Sequence, residues 1–143
     1  MELFFDVCSK LAGGFVTSTF LFTFTLIFAL PLGLLISFCT MSKFAPLSML
    51  SKIIVWVLRG TPLMLQIFAI YFAIPMFFGA NLDRMPATIL AFALNYAAYF
   101  AEIFRGGMMS IPVGQHEACQ VLGMTKLQAF WHIVLPQVCK RVL

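Results

Sequence analysis

Three long apolar stretches dominate the pattern of hydrophobic and polar positions along the chain. No charged residue occurs between Lys10 and Lys43, and within that gap residues 15–38 are almost continuously apolar. At about 1.5 Å of rise per helical residue, such a stretch crosses a hydrocarbon core of about 30 Å. Residues 53–78 and 85–105 form two further stretches of this kind. The pattern therefore predicts three membrane-spanning helices.

Polar and helix-breaking residues mark the connections between these stretches. Residues 41–52 contain two lysines and a proline and are expected to form a loop. The second stretch is interrupted near its start, where Thr61 is placed to cap a helix that has Pro62 in its first turn. We therefore expect a break or kink there, and a short turn over residues 79–84.

Residues 112–136 differ from the three stretches because polar residues are mixed among the apolar ones. Pro112 can occupy the first turn of a helix that runs to about Leu122. Gly123 follows, where it can end that helix in a left-handed conformation. This segment predicts the first arm of a helical hairpin outside the membrane.

A second helix is predicted directly after this turn. Thr125 and Gln128 have the spacing of a capping box, in which each side chain bonds to the backbone of the other residue. Pro136 is expected to stop or bend this helix. Its apolar residues recur at helical spacing and predict a face that packs against the spans: Leu127, Phe130, Trp131 and Val134.

The composition supports a membrane protein and argues against nucleic acid as a partner. The chain is 62% hydrophobic and 10% charged, whereas soluble domains contain roughly 25% charged residues. The net charge is +4, but the basic residues are scattered singly between apolar runs and do not form a patch. We therefore expect an all-α membrane protein that is surrounded by lipid.

The distribution of Lys and Arg predicts the orientation of the chain. Basic residues concentrate in cytoplasmic loops. Seven of the nine belong to the side that holds residues 41–52 and everything after Arg105, and only Lys10 and Arg84 belong to the other side. The N-terminus is therefore expected outside and the hairpin in the cytoplasm. The N-terminus also lacks the basic region of a cleaved signal peptide, so the first stretch should stay as a span.

Polar residues on the third span are the candidates for a role inside the membrane. Asn95, Tyr99 and Glu102 recur at helical spacing and share one face, and Arg105 lies where it can pair with Glu102. Polar groups inside a membrane bond to neighbouring helices or line a cavity. These residues therefore either hold the helices together, or Asn95 and Tyr99 line a substrate path to which Gln66 also contributes.

No residue pattern indicates an enzyme, a metal site or a bound cofactor. His116 and Glu117 are not followed by the second His that a zinc hydrolase needs, and no glycine-rich phosphate loop ending in Lys-Ser or Lys-Thr occurs. ATP hydrolysis would have to come from a partner. The four cysteines show no paired spacing and are expected to be buried, reduced thiols.

The hairpin carries a motif that identifies its family. Its spacing is Glu-Ala-small, three residues, Gly, nine residues, then Ile-x-Leu-Pro, and it resembles the EAA loop of ABC importer permeases. Cys119 stands where the second Ala is usual. The resemblance implies that the hairpin couples the spans to an ATPase subunit, with these positions involved: Glu117, Ala118, Gly123 and Pro136. The alternative is an amphipathic hairpin lying on the lipid surface.

Two further segments are similar to the permeases that import polar amino acids such as histidine, glutamine and arginine. The first runs from Arg59 through Pro62 to Gln66, and the second from Asn95 through the start of the hairpin. Tyr96 departs from the small residue that usually follows the Asn. The similarity implies the N-terminal part of a type I importer transmembrane domain, with three spans and a cytoplasmic coupling hairpin.

The resemblance also implies partners and a location in the bacterial inner membrane. The expected partners are a dimer of ATP-binding subunits, a second permease subunit that is identical or paralogous, an extracytoplasmic amino-acid-binding protein, and lipid. Relatives continue through two more spans, so we expect a fragment or the product of a broken or split gene. A truncated membrane remnant that does not transport is the alternative function, and a channel is a third.

Overall fold

All regular elements in the part of the chain that the structure describes are helical. The computed structural model describes residues 1–79 and 83–142. In chain order the elements are α1 (Glu2–Thr40), α2 (Ala45–Gly60), α3 (Leu63–Phe78), α4 (Arg84–Met109), α5 (Val113–Val121), α6 (Lys126–Ala129), a π-helical turn (Phe130–Val134) and α7 (Leu135–Val142).

Helix α4 is the centre of the fold, because α1, α2, α3 and α7 all pack against it. Its buried positions are almost entirely small, which lets the neighbouring backbones come close. Gly33 of α1 shows how close this approach is. A Cβ atom at that position would lie 2.6 Å from the Cβ of Phe100 and 3.1 Å from the carbonyl oxygen of Ala97. The buried residues of α4 are Ala87, Ala91, Ala93, Asn95, Ala97, Ala98, Ala101 and Gly107.

Helix α1 starts thirteen residues before the predicted first span (Glu2 against residue 15) and runs without a break through Pro31. The predicted span over residues 15–38 lies within this helix, and its limits in a membrane stay a prediction. Lys10 and Asp6 form an ion pair of 2.8 Å between Nζ and Oδ2, one helical turn apart. By length and apolar composition α1 and α4 can each cross a membrane.

The expectation of a loop over residues 41–52 is wrong, because α2 begins at Ala45. Pro46 in its first turn is a signal for a helix start that this expectation overlooked. The hydroxyl of Ser48 donates to the carbonyl oxygen of Thr40 at 2.7 Å, and this bond fixes the corner between α1 and α2. Of the two lysines in this stretch, Lys52 therefore belongs to a helix, whereas Lys43 precedes it.

The expected break in the second span is present and large, since α2 and α3 meet at an angle of 109°. Thr61 does not cap α3; it ends α2 in an extended conformation, and Pro62 takes the capping position of α3. That the pair crosses the membrane as one span stays a prediction. Helix α3 ends at Gly79, which has a φ of 65°. The predicted turn over residues 79–84 lies partly outside the described residues.

The second arm of the hairpin differs from its predicted form. A π-helical turn joins α6 to α7, and the backbone amide of Leu135 donates to the carbonyl oxygen of Phe130. Pro136 therefore does not stop the helix; it lies at the start of α7, just after the turn that accommodates its missing N–H. The buried face of this arm is only partly as predicted: Val134 is buried, whereas Leu127 and Trp131, which were predicted to pack, are exposed.

Candidate functional site

Side chains from α3 and α4 supply the hydrogen bond that the backbone lacks at the break between α2 and α3. Pro62 has no N–H, so the carbonyl oxygen of Leu58, four residues earlier, loses its partner in the helix. The side-chain amide nitrogen of Gln66 donates to this oxygen at 2.7 Å, and that of Asn95 donates to it at 3.2 Å. The oxygen that proline leaves free thus has two donors.

The two amide side chains also bond to each other. Asn95 Nδ2 donates to Gln66 Oε1 at 3.0 Å, and Gln66 Nε2 donates to the hydroxyl oxygen of Thr61 at 2.7 Å. Asn95 is 6% and Gln66 9% exposed. We call the group formed by Leu58, Thr61, Gln66 and Asn95 the break clamp. It connects α2, α3 and α4, so Gln66 and Asn95 do bond to neighbouring helices.

A charged group lies on the same face of α4, closer to the hairpin. Arg105 donates to both carboxylate oxygens of Glu102, with the shortest distance, 2.6 Å, between Nη2 and Oε2, as the sequence predicted. Arg59 of α2 reaches the same carboxylate at 4.0 Å and lies over the ring of Tyr99, 5.3 Å from its centre. This group ties the end of α2 to α4, and Tyr99 takes part through its ring face.

The turn of the hairpin has the backbone geometry that the sequence predicted. Gly123 has a φ of 68°, in the left-handed region. The amide of Met124 donates to the carbonyl oxygen of Cys119 and that of Gly123 to the carbonyl oxygen of Gln120, both at 3.0 Å. This is the Schellman arrangement, which satisfies the last carbonyl groups of a helix. The end of α5 is therefore rigid without help from the rest of the fold.

The predicted capping box follows at once. The amide of Gln128 donates to the hydroxyl oxygen of Thr125, and the amide of Thr125 donates to Gln128 Oε1 at 2.9 Å. Together with the glycine turn, this box sets the angle between the two arms. Both devices use only residues that are close in the sequence.

The outer face of α5 presents Glu117 between exposed apolar side chains. Val113, Glu117 and Val121 are spaced four residues apart and form one ridge, and Leu122 follows at its end. The three apolar side chains are 71%, 88% and 75% exposed in chain order. Glu117 forms no ion pair with any residue that the structure describes. An exposed apolar ridge around an unpaired carboxylate is typical of an interaction surface.

The inner face of the hairpin is attached to α4. Ile111, Val134 and Val138 are buried together, and Phe104 and Met108 of α4 pack against them. The guanidinium of Arg141 donates to the carbonyl oxygen of Ser110 and to its hydroxyl oxygen. On the side of α1, the rings of Phe38 and Phe130 meet edge to face with centres 5.3 Å apart.

Among the other predicted site residues, Ala118 is exposed beside Glu117, and Pro136 is exposed on α7. Of the four cysteines only Cys119 is buried, so the expectation of four buried thiols is wrong; Cys8 and Cys139 are exposed and none is in a disulfide. The start of α1, which carries Cys8, is exposed on all sides, and Cys139 lies on an exposed face of α7. A one-dimensional pattern does not show this.

Sequence reasoning did not predict that Gln66 and Asn95 both bond to the carbonyl oxygen of Leu58. The signal was present, because a proline at position 62 frees the carbonyl oxygen at position 58. The two amide-bearing residues were singled out for a substrate path, but the freed oxygen was not considered. The contribution of Arg59 to the charged group was also missed. Arg59 lies on α2, and no sequence pattern relates it to Glu102 on α4.

Comparison with known proteins points to one family. Residues 29–143 match the family described as "Binding-protein-dependent transport system inner membrane component". In sequence, the chain is 38% identical over 127 residues to the L-cystine transport system permease protein TcyB of Bacillus subtilis (strain 168), covering 89% of this chain and 54% of that protein. The arginine transport system permease protein ArtQ of the same organism is 38% identical over 116 residues, with coverages of 81% and 53%.

In structure, the chain is similar to a solved protein described as "Crystal structure of an amino acid ABC transporter with histidines". The TM-score is 0.75 at 34% identity, and the match covers 90% of this chain and 59% of that one. The chain thus spans about half the length of the curated relatives it matches.

Proposed function

This chain belongs to the family of binding-protein-dependent transport system inner membrane components, and on that basis we propose that it is a permease subunit of an ATP-driven importer of polar amino acids. The substrate class rests on the relatives, which are named for cystine and arginine, and on the similarity to an amino acid ABC transporter. The subunit itself is not an enzyme. It has no cofactor of its own, and ATP is bound by a partner.

The observation that carries this proposal is the two-faced hairpin. Its outer ridge offers Glu117 with Val113 and Val121 to a partner, while its inner face is packed onto α4. A docked ATPase subunit that moves the ridge therefore moves α4, because a densely packed core transmits a displacement instead of absorbing it. A hairpin lying on lipid is less consistent with this geometry, since an exposed carboxylate is repelled by an anionic surface.

The remaining partners complete the transport cycle. Two ATP-binding subunits close on ATP, a second permease subunit, identical or paralogous, completes the path, and an extracytoplasmic binding protein delivers the amino acid. The N-terminus lies outside and the hairpin in the cytoplasm. Tyr99 is 41% exposed and is the most accessible of the three residues suggested for the path. Gln66 and Asn95 act mainly in the break clamp.

The coupling proposal is tested by placing different side chains at Gly123. In vesicles that contain the assembled transporter, Gly123→Val should lower ATP-dependent amino-acid uptake about tenfold, because a β-branched residue resists the left-handed turn by about 1–2 kcal/mol. Gly123→Asn is the matched control and should keep most of the uptake, since Asn tolerates that conformation. Normal uptake by Gly123→Val would contradict the proposed role of the turn.

The orientation is tested separately by cysteine labelling. In a variant without the native cysteines, Lys43→Cys and Gln115→Cys should react with a membrane-impermeant maleimide only after the cells are permeabilised. Asp83→Cys should react in intact cells, because it lies at the other end of α4. Labelling of Gln115→Cys in intact cells would place the hairpin outside and would rule out its coupling to a cytoplasmic ATPase.

A further inference from the structure

An open groove of about 550 Å³ lies where the chain turns from α1 into α2. It follows one face of α2, from Ser42 just before the helix to Trp56 near its end, and Met49, Lys52 and Ile53 lie between them. None of the residues that line the groove belongs to the hairpin, and the coupling mechanism does not use it.

The groove combines polar and apolar side chains along one face of α2. Ser42 accepts a hydrogen bond from the amide of Phe44 through its hydroxyl oxygen, so its own O–H stays available to donate. No carboxylate lines the groove. Further along α2, Met49 is 66% and Trp56 76% exposed. The groove thus offers hydroxyl groups, a cation and apolar side chains, which are the groups that a phospholipid headgroup and its acyl chains would contact.

Two lysines provide positive charge in the groove and beside it. Lys43 precedes α2 and Lys52 lines the groove, and neither forms an ion pair with a described residue. The long side chain of Lys52 can keep its amine at the headgroup level while its stem stays apolar. Tryptophan is common in the interfacial region of a membrane, and Trp56 lines the groove.

We propose that this groove binds an anionic phospholipid of the cytoplasmic leaflet, with its phosphate at Lys43 and Lys52 and its acyl chains along Met49, Ile53 and Trp56. The leaflet follows from the proposed orientation, on which this inference rests. The bound lipid would stabilise the corner that Ser48 and Thr40 already hold. It would thereby keep α2 in the position that the break clamp requires.

Fluorescence quenching by brominated lipids tests this directly, because Trp56 lies in the groove. The chain contains two tryptophans, so the full-length chain with Trp131→Phe reports on Trp56 alone. It is reconstituted in vesicles of brominated phosphatidylglycerol or brominated phosphatidylcholine mixed with unlabelled lipid. Phosphatidylglycerol should bind near Trp56 with a several-fold preference, and Lys52→Gln should reduce this preference about fivefold, the factor expected for one lysine near an anionic surface.

Lys10→Gln is the control, since Lys10 lies at the opposite end of α1 and is also exposed. The preference should be unchanged in this variant and unaffected by free glycerol phosphate, which distinguishes a lipid from a soluble phosphate. Equal quenching by the two lipids would overturn the proposal, as would an equal loss in Lys10→Gln and Lys52→Gln. Absence of quenching by both lipids would also overturn it. The assay uses neither ATP nor a partner subunit. Lipid binding can therefore be contradicted while coupling through Gly123 is supported, and coupling can be contradicted while lipid binding is supported.

Discussion

The chain interrupts its helices at Pro62, in the predicted second span, and at Gly123, in the hairpin, and it satisfies the freed backbone groups differently at the two places. At Pro62 the carbonyl oxygen of Leu58 receives bonds from Gln66 and from Asn95, which is 37 residues away in the sequence. At Gly123 the backbone amides of the next residues and a local capping box are sufficient.

In the proposed topology, the difference follows from the solvent around each break. Water can replace a lost bond at an exposed turn, so the hairpin needs only local geometry. In hydrocarbon no such replacement exists, and an unsatisfied backbone group costs several kcal/mol. A break inside the membrane is therefore retained only where neighbouring helices bring donors to it. The break clamp gives Gln66 and Asn95 a structural role of this kind, and their place on a substrate path stays a prediction.

The largest effect is expected for loss of the central amide of the break clamp. Gln66→Leu removes two short hydrogen bonds and leaves Leu58 with one donor, so the free energy of unfolding should fall by about 2 kcal/mol. Reversible unfolding in mixed detergent micelles measures this value. Thr88→Val is the control, because the Thr88 hydroxyl bonds only within its own helix, and it should cost under about 0.5 kcal/mol. An equally small effect of Gln66→Leu would show that the clamp does not stabilise the break.

A double-mutant cycle with Pro62→Ala tests whether Gln66 stabilises the break by bonding to the carbonyl group that Pro62 frees. Alanine restores the N–H that can bond to Leu58 within the helix, so the clamp becomes partly redundant. Gln66→Leu should then cost about 1 kcal/mol less in the Pro62→Ala background than in the native chain. The same unfolding assay applies. Strict additivity of the two changes would mean that the freed carbonyl group is not what Gln66 satisfies.

The smallest effect is expected for the amide of the hairpin, Gln128. Gln128→Leu removes a bond of 2.9 Å to the amide of Thr125, but water reaches this site, so local stability should fall by about 0.5 kcal/mol. Hydrogen exchange of the amides in residues 121–129 measures it, with those of α4 as the internal reference. A cost as large as that of Gln66→Leu would remove the distinction between the two breaks.

Much of the fold could be predicted from the sequence because it depends on near neighbours. The left-handed Gly123, the capping box of Thr125 and Gln128, and the ion pair of Glu102 with Arg105 were all expected and are all present. Each involves residues three to five apart, whose relative position is set once a helix or turn forms. The family itself was identified on such local spacing, and the comparisons confirm it.

Other features could not be assigned from the pattern. The start of α2 at Ala45 was missed because two lysines made residues 41–52 look like a loop. The buried face of the second arm was only partly predicted, since Val134 is buried but Leu127 and Trp131 are exposed. Helical spacing shows which residues share a face, but it does not show how much of that face the rest of the fold covers.

By itself the sequence determined the apolar helices, the turn chemistry of the hairpin and the family, because these depend on composition and on contacts within one or two turns. Only the tertiary structure decided that Gln66 and Asn95 meet at the oxygen of Leu58 and that Arg59 joins Glu102. The two partners of Asn95 in the clamp are 29 and 37 residues away in the sequence. Such contacts exist only because small residues on α4 let α1, α2 and α3 approach closely, and no local pattern encodes which carbonyl group will face which amide.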